Sequence, residues 1–287
     1  MIYLKNFQLP SWEQEEYNNL TPRAYPYGIF PFKKIEEFSF EPITIFYGSN
    51  GSGKSTLLNL ISEKLNLPRT TPFNSSQLFN QYVETKCDYI MGCDEEGFPL
   101  EIPLKSKTIT SEDVFNHILA VRNENLRINK EKNLEKQRYY EAKNDGFQFK
   151  SMSDYDQLKI KNAARKQTVS RFIRDRTNPN IEQFSNGETA LSYFDSNFES
   201  DSLYLLDEPE NSLSPQFQLQ LMKLIRDCAY YCNCQFIIAT HSPFILSIDD
   251  AQIYDLDSIP ARVRKWYELE NVKAYYEFFE KYNELFK

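Results

Sequence analysis

Apolar residues in this chain form short runs that alternate with longer segments of helical spacing. The runs Phe38–Tyr47, Ser202–Leu206 and Gln235–Ala239 are largely apolar, which is typical of strands in a covered sheet. Thr56–Leu67 and Pro215–Cys228 predict helices that follow two of these strands. The alternation of strand and helix predicts an α/β fold with a mainly parallel core sheet.

Four further segments complete this outline. Met1–Leu9 alternates apolar and polar residues as a first strand does, and residues 69–110 predict short strands and loops. Glu188–Phe198 and Ala274–Lys287 predict two later helices, the second of them amphipathic.

Residues 111 to about 176, in the middle of the chain, have a helical and charged composition without a sustained heptad repeat. We therefore expect residues 1–110 and 191–287 to form an α/β core lobe. Residues 111–190 are expected to form an inserted helical lobe.

Charge is unevenly distributed. The net charge of −8 argues against a surface wholly coated in nucleic acid, but Val121–Arg176 carries 15 Lys and Arg against 8 Asp and Glu. A solvated helical face is the favoured interpretation, and a patch for a phosphate backbone is the alternative. The sequence has neither a signal-peptide pattern nor an apolar run of about 18 residues. We expect a cytoplasmic protein with no membrane span of its own.

A glycine-rich turn connects the predicted strand that ends at Tyr47 to the predicted helix that begins at Thr56. It matches the phosphate-binding loop G-x-x-x-x-G-K-[ST], in which backbone N–H groups and the helix N-terminus face the phosphates of ATP. Lys54 supplies a charge to the β- and γ-phosphate oxygens and is a predicted catalytic residue, Ser55 offers a hydroxyl to Mg²⁺, and Thr56 can reach the α-phosphate. The predicted nucleotide-binding residues here are Gly48, Ser49, Asn50, Gly51, Ser52, Gly53, Lys54, Ser55 and Thr56.

Two carboxylates end the apolar run near residue 203. Asp207 and Glu208 would lie at the C-terminal edge of a parallel sheet, beside the phosphate-binding loop. Asp207 is the predicted Mg²⁺ ligand, and Glu208 is the predicted catalytic residue that polarises the attacking water. Two acids after an apolar run often only cap the next helix, but their combination with the glycine loop favours the catalytic interpretation.

The segment from Phe184 to Glu188 lies 22 positions before Asp207, counted from Ser185. It resembles the signature loop of ATP-binding-cassette (ABC) proteins, usually written L-S-G-G-Q/E. Asn186 replaces the first glycine, and asparagine tolerates the same left-handed conformation. In isolation, the pentapeptide would favour an N-cap serine before an ordinary helix.

This resemblance implies a P-loop NTPase of the ABC-ATPase type. In that family the signature loop caps the γ-phosphate bound to the opposite subunit. The residues implied to contact nucleotide in this way are Ser185, Asn186, Gly187 and Glu188.

A histidine ends the last buried strand. His241 lies 34 positions after Asp207, and the resemblance makes it the switch residue that contacts the γ-phosphate. The sequence Thr-His-Ser-Pro around it is similar to the non-transport branch of the family, which includes SMC proteins, RecF and the OLD ATPases. The stretches beginning at Tyr25 and Ile109 resemble small stand-alone bacterial ATPases.

Two family positions have no clear counterpart. For the glutamine that senses the γ-phosphate, Gln77 and Gln81 lie too close to the loop, and the Ser111–Glu112 region is an alternative. For the residue that stacks on adenine, the candidates are Phe30, Phe32 and Lys33, with core and loop roles as the alternatives.

The resemblance implies a homodimer that closes around two ATP·Mg²⁺ and hydrolyses them as a conformational switch. The leading hypothesis for its target is DNA or RNA, in repair or phage defence. The alternatives are the energising subunit of a membrane transporter, and an ATP sensor that gates a partner nuclease or toxin.

Overall fold

The computed structural model describes residues 1–16, 25–73, 75–144, 146, 151–181 and 185–286. Nine strands lie in this part of the chain. Their bounds are β1 Leu4–Gln8, β2 Glu37–Ser39, β3 Ile43–Tyr47, β4 Asp88–Met91, β5 Lys107–Thr110, β6 Leu203–Asp207, β7 Gln235–Ala239, β8 Gln252–Asp255 and β9 Arg262–Val263.

Ten α-helices lie in the same described residues. Their bounds are α1 Trp12–Glu16, α2 Lys54–Lys64, α3 Phe79–Lys86, α4 Ser111–Asn144, α5 Tyr155–Lys166, α6 Val169–Arg174, α7 Asn186–Asn197, α8 Pro215–Tyr231, α9 Pro243–Leu246 and α10 Glu270–Lys281. None of these helices combines the length and the apolarity needed to cross a bilayer.

The main sheet has six strands in the order β5-β6-β7-β3-β8-β9. The first five run parallel and β9 is antiparallel. Every residue of β3 and β7 is buried, which explains their nearly continuous apolar sequences. Helices α2 and α8 pack against this sheet. The predicted α/β fold with a mainly parallel core is confirmed.

A smaller antiparallel sheet has the order β2-β1-β4. The prediction of a single strand over Phe38–Tyr47 was therefore wrong: β2 and β3 belong to different sheets. The chain changes sheets at Glu41 and Pro42, and Pro42 cannot donate a ladder hydrogen bond. Phe38 still packs against Phe46, with ring centroids 5.3 Å apart, so one core serves both sheets.

A buried glutamine joins the two sheets. The side-chain oxygen of Gln235, at the start of β7, accepts the backbone N–H groups of Tyr3 and Leu4, each at 2.8 Å. Its amide nitrogen donates to the carbonyl of Leu4 at 2.8 Å. These bonds satisfy backbone groups at the start of β1 that would otherwise be buried without partners.

Two helical predictions need correction. Residues 69–110 contain α3, because Phe79, Tyr82 and Val83 bury one side of a short helix against the core. The final helix, α10, begins at Glu270 rather than Ala274 and ends at Lys281, after which a short 3₁₀ turn follows.

The chain divides into two compact units, residues 1–115 with 186–287, and residues 116–185. The first unit holds both sheets. The second is helical in its described part and has its own small core, in which Tyr139 packs edge-on against Phe172 with ring centroids 5.3 Å apart. Arg176 lies 3.8 Å above the Phe172 ring.

Candidate nucleotide-binding site

The glycine loop lies between β3 and α2, as predicted. Gly51 and Gly53 have φ values of +82° and +100°, a region that residues with a side chain rarely adopt. At Gly53 a Cβ would also lie 3.2 Å from the side chain of Ile29. Gly53 immediately precedes the first residue of α2, so the loop lies at the positive end of this helix. This geometry suits a phosphate group.

The lysine of the loop is buried, with 5% of its surface exposed. Nζ of Lys54 donates to the carbonyl oxygens of Gly48 at 2.7 Å and Ser49 at 3.1 Å. The hydroxyl oxygen of Ser52 is buried and has no partner among the described residues. Among the described residues, the hydrogen bonds of this cation go to neutral carbonyls and the neighbouring hydroxyl is unpaired, an arrangement that fits an anionic ligand.

An acidic residue from the far end of the chain supports the loop. Asp257 follows β8, and its carboxylate accepts the backbone N–H of Ser49 at 2.7 Å and the Ser49 hydroxyl at 2.9 Å. Asp257 was not predicted from the sequence, because a single acid 208 positions from its partner carries no local signal.

The two predicted metal ligands are in contact. The hydroxyl of Ser55 donates to the carboxylate of Asp207 at 2.9 Å. Burial raises the pKa of Asp207 to about 6, against the lowering effects of the Ser55 hydrogen bond and of Lys54. A hydroxyl and a carboxylate are oxygen ligands that Mg²⁺ prefers, and a buried carboxylate with a raised pKa fits a nearby cation.

The predicted catalytic glutamate has an unusual backbone. Glu208 adopts φ of +48°, in the left-handed region, and its N–H donates to the carbonyl of Ala239 at 2.9 Å. One carboxylate oxygen accepts from the side-chain amide of Asn211 at 2.9 Å. Left-handed non-glycine residues cluster at functional sites, because only the surrounding structure can hold them in place.

Strand register brings His241 to the same place. Asp207 pairs with Ala239 across β6 and β7, so the residues after each strand are neighbours. Nδ1 of His241 lies 3.9 Å from the carboxylate of Glu208. The structure therefore gathers the glycine loop, Asp207, Glu208 and His241 at the C-terminal edge of one sheet, where ligands of open α/β sheets bind.

A second glutamate, Glu210, also faces this histidine. Glu210 was not among the residues predicted from the sequence. Its buried carboxylate accepts the hydroxyl of Thr240 at 2.6 Å and the backbone N–H of His241 at 3.1 Å. An acid two residues after Glu208 was the available signal, but burial distinguishes it from the exposed acids nearby.

The residues of the predicted signature loop lie at the start of α7. Phe184 is outside the described residues, and Ser185, Asn186 and Glu188 are exposed. Asn186 begins the helix and does not adopt the left-handed conformation that asparagine tolerates. Gly187 is required for packing: a Cβ would lie 2.3 Å from the ring of Phe217 on α8. The strand register that assembles the glycine-loop site does not involve α7.

The adenine-stacking candidates differ in exposure. Phe30 is fully buried beside Gly53 and is a core residue. Nζ of Lys33 donates to the carbonyl of Leu256 at 2.5 Å. Phe32 is 61% exposed and packs edge-on against Trp12, which is also exposed, with ring centroids 4.9 Å apart. Of the three, only Phe32 has an accessible ring.

The start of α4 lies near the metal ligands. Thr110, the last residue of β5, pairs with Asp207 in the parallel register, and Ser111 follows it directly. The Ser111–Glu112 region is thus close to the sheet edge that carries the site. Gln81, by contrast, is exposed on α3.

This fold and site define an α/β core in which a parallel sheet carries a phosphate-binding-loop motif at the C-terminal edge of its strands. Residues 117–247 match the family model described as "AAA domain, putative AbiEii toxin, Type IV TA system". The matched range includes Asp207, Glu208 and His241 but not the glycine loop. No curated protein matches the chain.

The chain is also similar to solved structures of low sequence identity. One is the Smc head domain derived from Pyrococcus furiosus, with 13% identity, a TM-score of 0.48, and coverage of 98% of this chain and 99% of that one. Another is cbiO1 of an ABC transporter complex from Clostridium perfringens, with 17% identity, a TM-score of 0.41, and coverage of 99% and 95%.

Proposed function

We propose that this protein binds ATP with Mg²⁺ in the cytoplasm and hydrolyses it, as a switch that closes between two copies of the chain. The observation that carries the proposal is the convergence of Lys54, the Ser55–Asp207 pair and Glu208 at one sheet edge. Each of these groups has a use in phosphoryl transfer to water.

Each side chain then has a defined task. Lys54 and the backbone N–H groups of the loop neutralise the β- and γ-phosphates. Ser55 and Asp207 would hold Mg²⁺, which stabilises negative charge on the phosphate oxygens. Glu208 orients and polarises the attacking water, and His241 faces the terminal phosphate from the end of β7.

Hydrolysis is tested by phosphate release from purified protein. Glu208→Gln keeps the size of the side chain but removes the base, and it should lower kcat by about 10²- to 10⁴-fold while ATP still binds. Glu96→Gln, an exposed glutamate in a turn of the same unit, is the matched control and should leave kcat unchanged. Equal activity of the wild type and Glu208→Gln would contradict the assignment.

The dimer is supported by the exposed residues at the start of α7. Ser185 and Glu188 face solvent in a single copy, and α7 takes no part in the register that assembles the glycine-loop site. In the proposed closed state, Ser185, Asn186, Gly187 and Glu188 of a second copy complete each nucleotide site.

Light scattering of Glu208→Gln with and without ATP·Mg²⁺ tests this closure. A dimer that forms only with ATP is expected, and adding Ser185→Arg should abolish it without preventing ATP binding. A protein that stays monomeric with saturating ATP would refute the sandwich arrangement.

The target of the switch is proposed to be DNA or RNA, because Val121–Arg176 carries the excess of positive charge. Part of this charge is neutralised within α4, where Arg127 contacts Glu124 at 2.6 Å and Glu131 at 2.5 Å. Lys130 and Lys136 remain exposed on the same helix.

Anisotropy of labelled DNA and RNA, measured with ATP over a range of salt concentrations, tests the target. Affinity should fall steeply with salt, and the pair Lys130→Glu and Lys136→Glu should weaken it more than Lys223→Glu on α8. The matched family model names a toxin–antitoxin system, which favours the alternative of an effector protein as target. ATP-dependent co-elution of a co-expressed protein, without nucleic-acid binding, would support that alternative.

A further inference from the structure

Glu210 and His241, near the proposed nucleotide site, each have a buried polar atom without a hydrogen bond among the described residues. Glu210 is 5% exposed, and its oxygen Oε2 has no partner among the described residues. Nδ1 of His241 is likewise buried and unpartnered, although the side chain as a whole is 45% exposed. Nδ1 lies 3.6 Å from Oε1 of Glu210.

Burial makes this arrangement costly. An unpaired buried carboxylate oxygen and an unpaired ring nitrogen each lose water without gaining a partner. The 3.6 Å between Nδ1 of His241 and Oε1 of Glu210 is too long for a hydrogen bond, but a small rotation of the imidazole would shorten it. Hydrogen bonds in catalytic sites are often long without substrate and shorten when the substrate binds.

The two glutamates near His241 differ in what they can do. One oxygen of Glu208 is bonded to Asn211, and its side chain is 29% exposed, so it can meet water. Glu210 is buried and already holds the backbone N–H of His241 at 3.1 Å. The same carboxylate therefore fixes the main chain of the histidine and lies against its ring.

We infer that Glu210 is a positioning residue for His241. It accepts the Nδ1–H of the imidazole and so sets the tautomer and the orientation of the ring. Nε2 then faces the exposed side, where it can exchange a proton beside the terminal phosphate. This inference rests on the proposed function for its catalytic meaning, but the tautomer itself can be observed without hydrolysis.

The first test is NMR of protein labelled with ¹⁵N-histidine, at a pH where imidazole is neutral, with a non-hydrolysable ATP analogue and Mg²⁺. The chain has only two histidines, so His117→Gln assigns both sets of signals. In the wild type we expect His241 to carry its proton on Nδ1. In Glu210→Gln, whose amide can donate to Nδ1, the proton should move to Nε2, whereas Glu96→Gln should keep the wild-type pattern.

Glu210→Gln retains an oxygen that can accept from Thr240, and an unchanged melting temperature would show that the fold is intact. If His241 shows the same tautomer in the wild type and in Glu210→Gln, the inference is overturned. That result would leave the proposed ATPase function untouched.

The second test is a double-mutant cycle on ATP hydrolysis. Glu210→Gln should lower kcat by about 10- to 100-fold with little change in KM, in line with residues that orient a catalytic ligand. In a His241→Ala background, Glu210→Gln should lower kcat by less than about 2-fold, because Glu210 acts through the imidazole ring. Equal losses in both backgrounds would refute a positioning role. Absence of hydrolysis in the wild type would refute the proposed function alone and leave the NMR result to decide.

Discussion

Replacing Asp207 with asparagine should stabilise the free protein at neutral and alkaline pH. Burial raises the pKa of this carboxyl from 3.8 to about 6, so at pH 8 the folded protein holds a charge that its surroundings disfavour. At 1.36 kcal/mol per pH unit, this difference corresponds to about 3 kcal/mol. Asparagine has nearly the same shape and can still accept the hydroxyl of Ser55. We expect Asp207→Asn to raise the free energy of unfolding by about 1–3 kcal/mol at pH 8.

The stability gained by Asp207→Asn should decrease as the pH is lowered. Between about pH 4 and pH 6 the folded wild type binds more protons than the unfolded chain, so its stability falls as pH rises through this window. At pH 4 the folded carboxyl is protonated and the unfolded one, with a pKa of 3.8, is about half ionised, so the advantage of Asp207→Asn should shrink to less than about 1 kcal/mol.

Urea unfolding at pH 4 and pH 8, without nucleotide and with EDTA, measures the stability difference between the wild type and Asp207→Asn at each pH. Asp156→Asn, an exposed aspartate on α5, is the control for the change of one charge. A variant that is no more stable than the wild type at pH 8, or that gains equally at both pH values, would refute the reasoning. ATP·Mg²⁺ should stabilise the wild type and fail to stabilise Asp207→Asn, because the variant lacks the metal-binding carboxylate.

Three further changes test the packing and the loop. Gly187→Ala should lower stability by about 1–3 kcal/mol in thermal unfolding, with partial recovery on adding Phe217→Leu, because the new methyl group meets the Phe217 ring at 2.3 Å. Gln235→Leu should lower the free energy of unfolding by at least about 2 kcal/mol in urea, because it leaves the buried backbone N–H and C=O of Leu4 without the hydrogen bonds that Gln235 supplies. Lys54→Met should abolish ATP binding in calorimetry without loss of the fold, because the two hydrogen bonds that Nζ makes with described residues both go to loop carbonyls.

The sequence alone was enough for the parts of the site that are continuous in the chain. The glycine loop and α2 were predicted together, because the glycines, the lysine and the helical spacing occupy one short segment. The strand β7 was predicted with its observed bounds, and β6 to within one residue, because a buried parallel strand has an unmistakable apolar run.

Weaker local signals led to errors. Residues 38–47 were predicted as one strand because their apolar pattern is continuous, and only the pairing of β2 with β1 and of β3 with β7 separates them. Gly187 was predicted only as part of the signature loop, whereas its neighbour Phe217 explains the need for glycine. In both cases the deciding partner is distant in the chain.

The sequence by itself determined which residues are candidates for an ATP site, since the loop, its lysine and the two acids follow from local spacing and residue chemistry. Only the tertiary structure decided which of them meet. Ser55 and Asp207 are 152 positions apart and come together because α2, which carries Ser55, packs against β6, which ends at Asp207. Glu210 contacts the histidine that it is proposed to orient only because strand register fixes the ends of β6 and β7 side by side. Strand order and burial depend on packing across the whole core, and local periodicity carries no information about either.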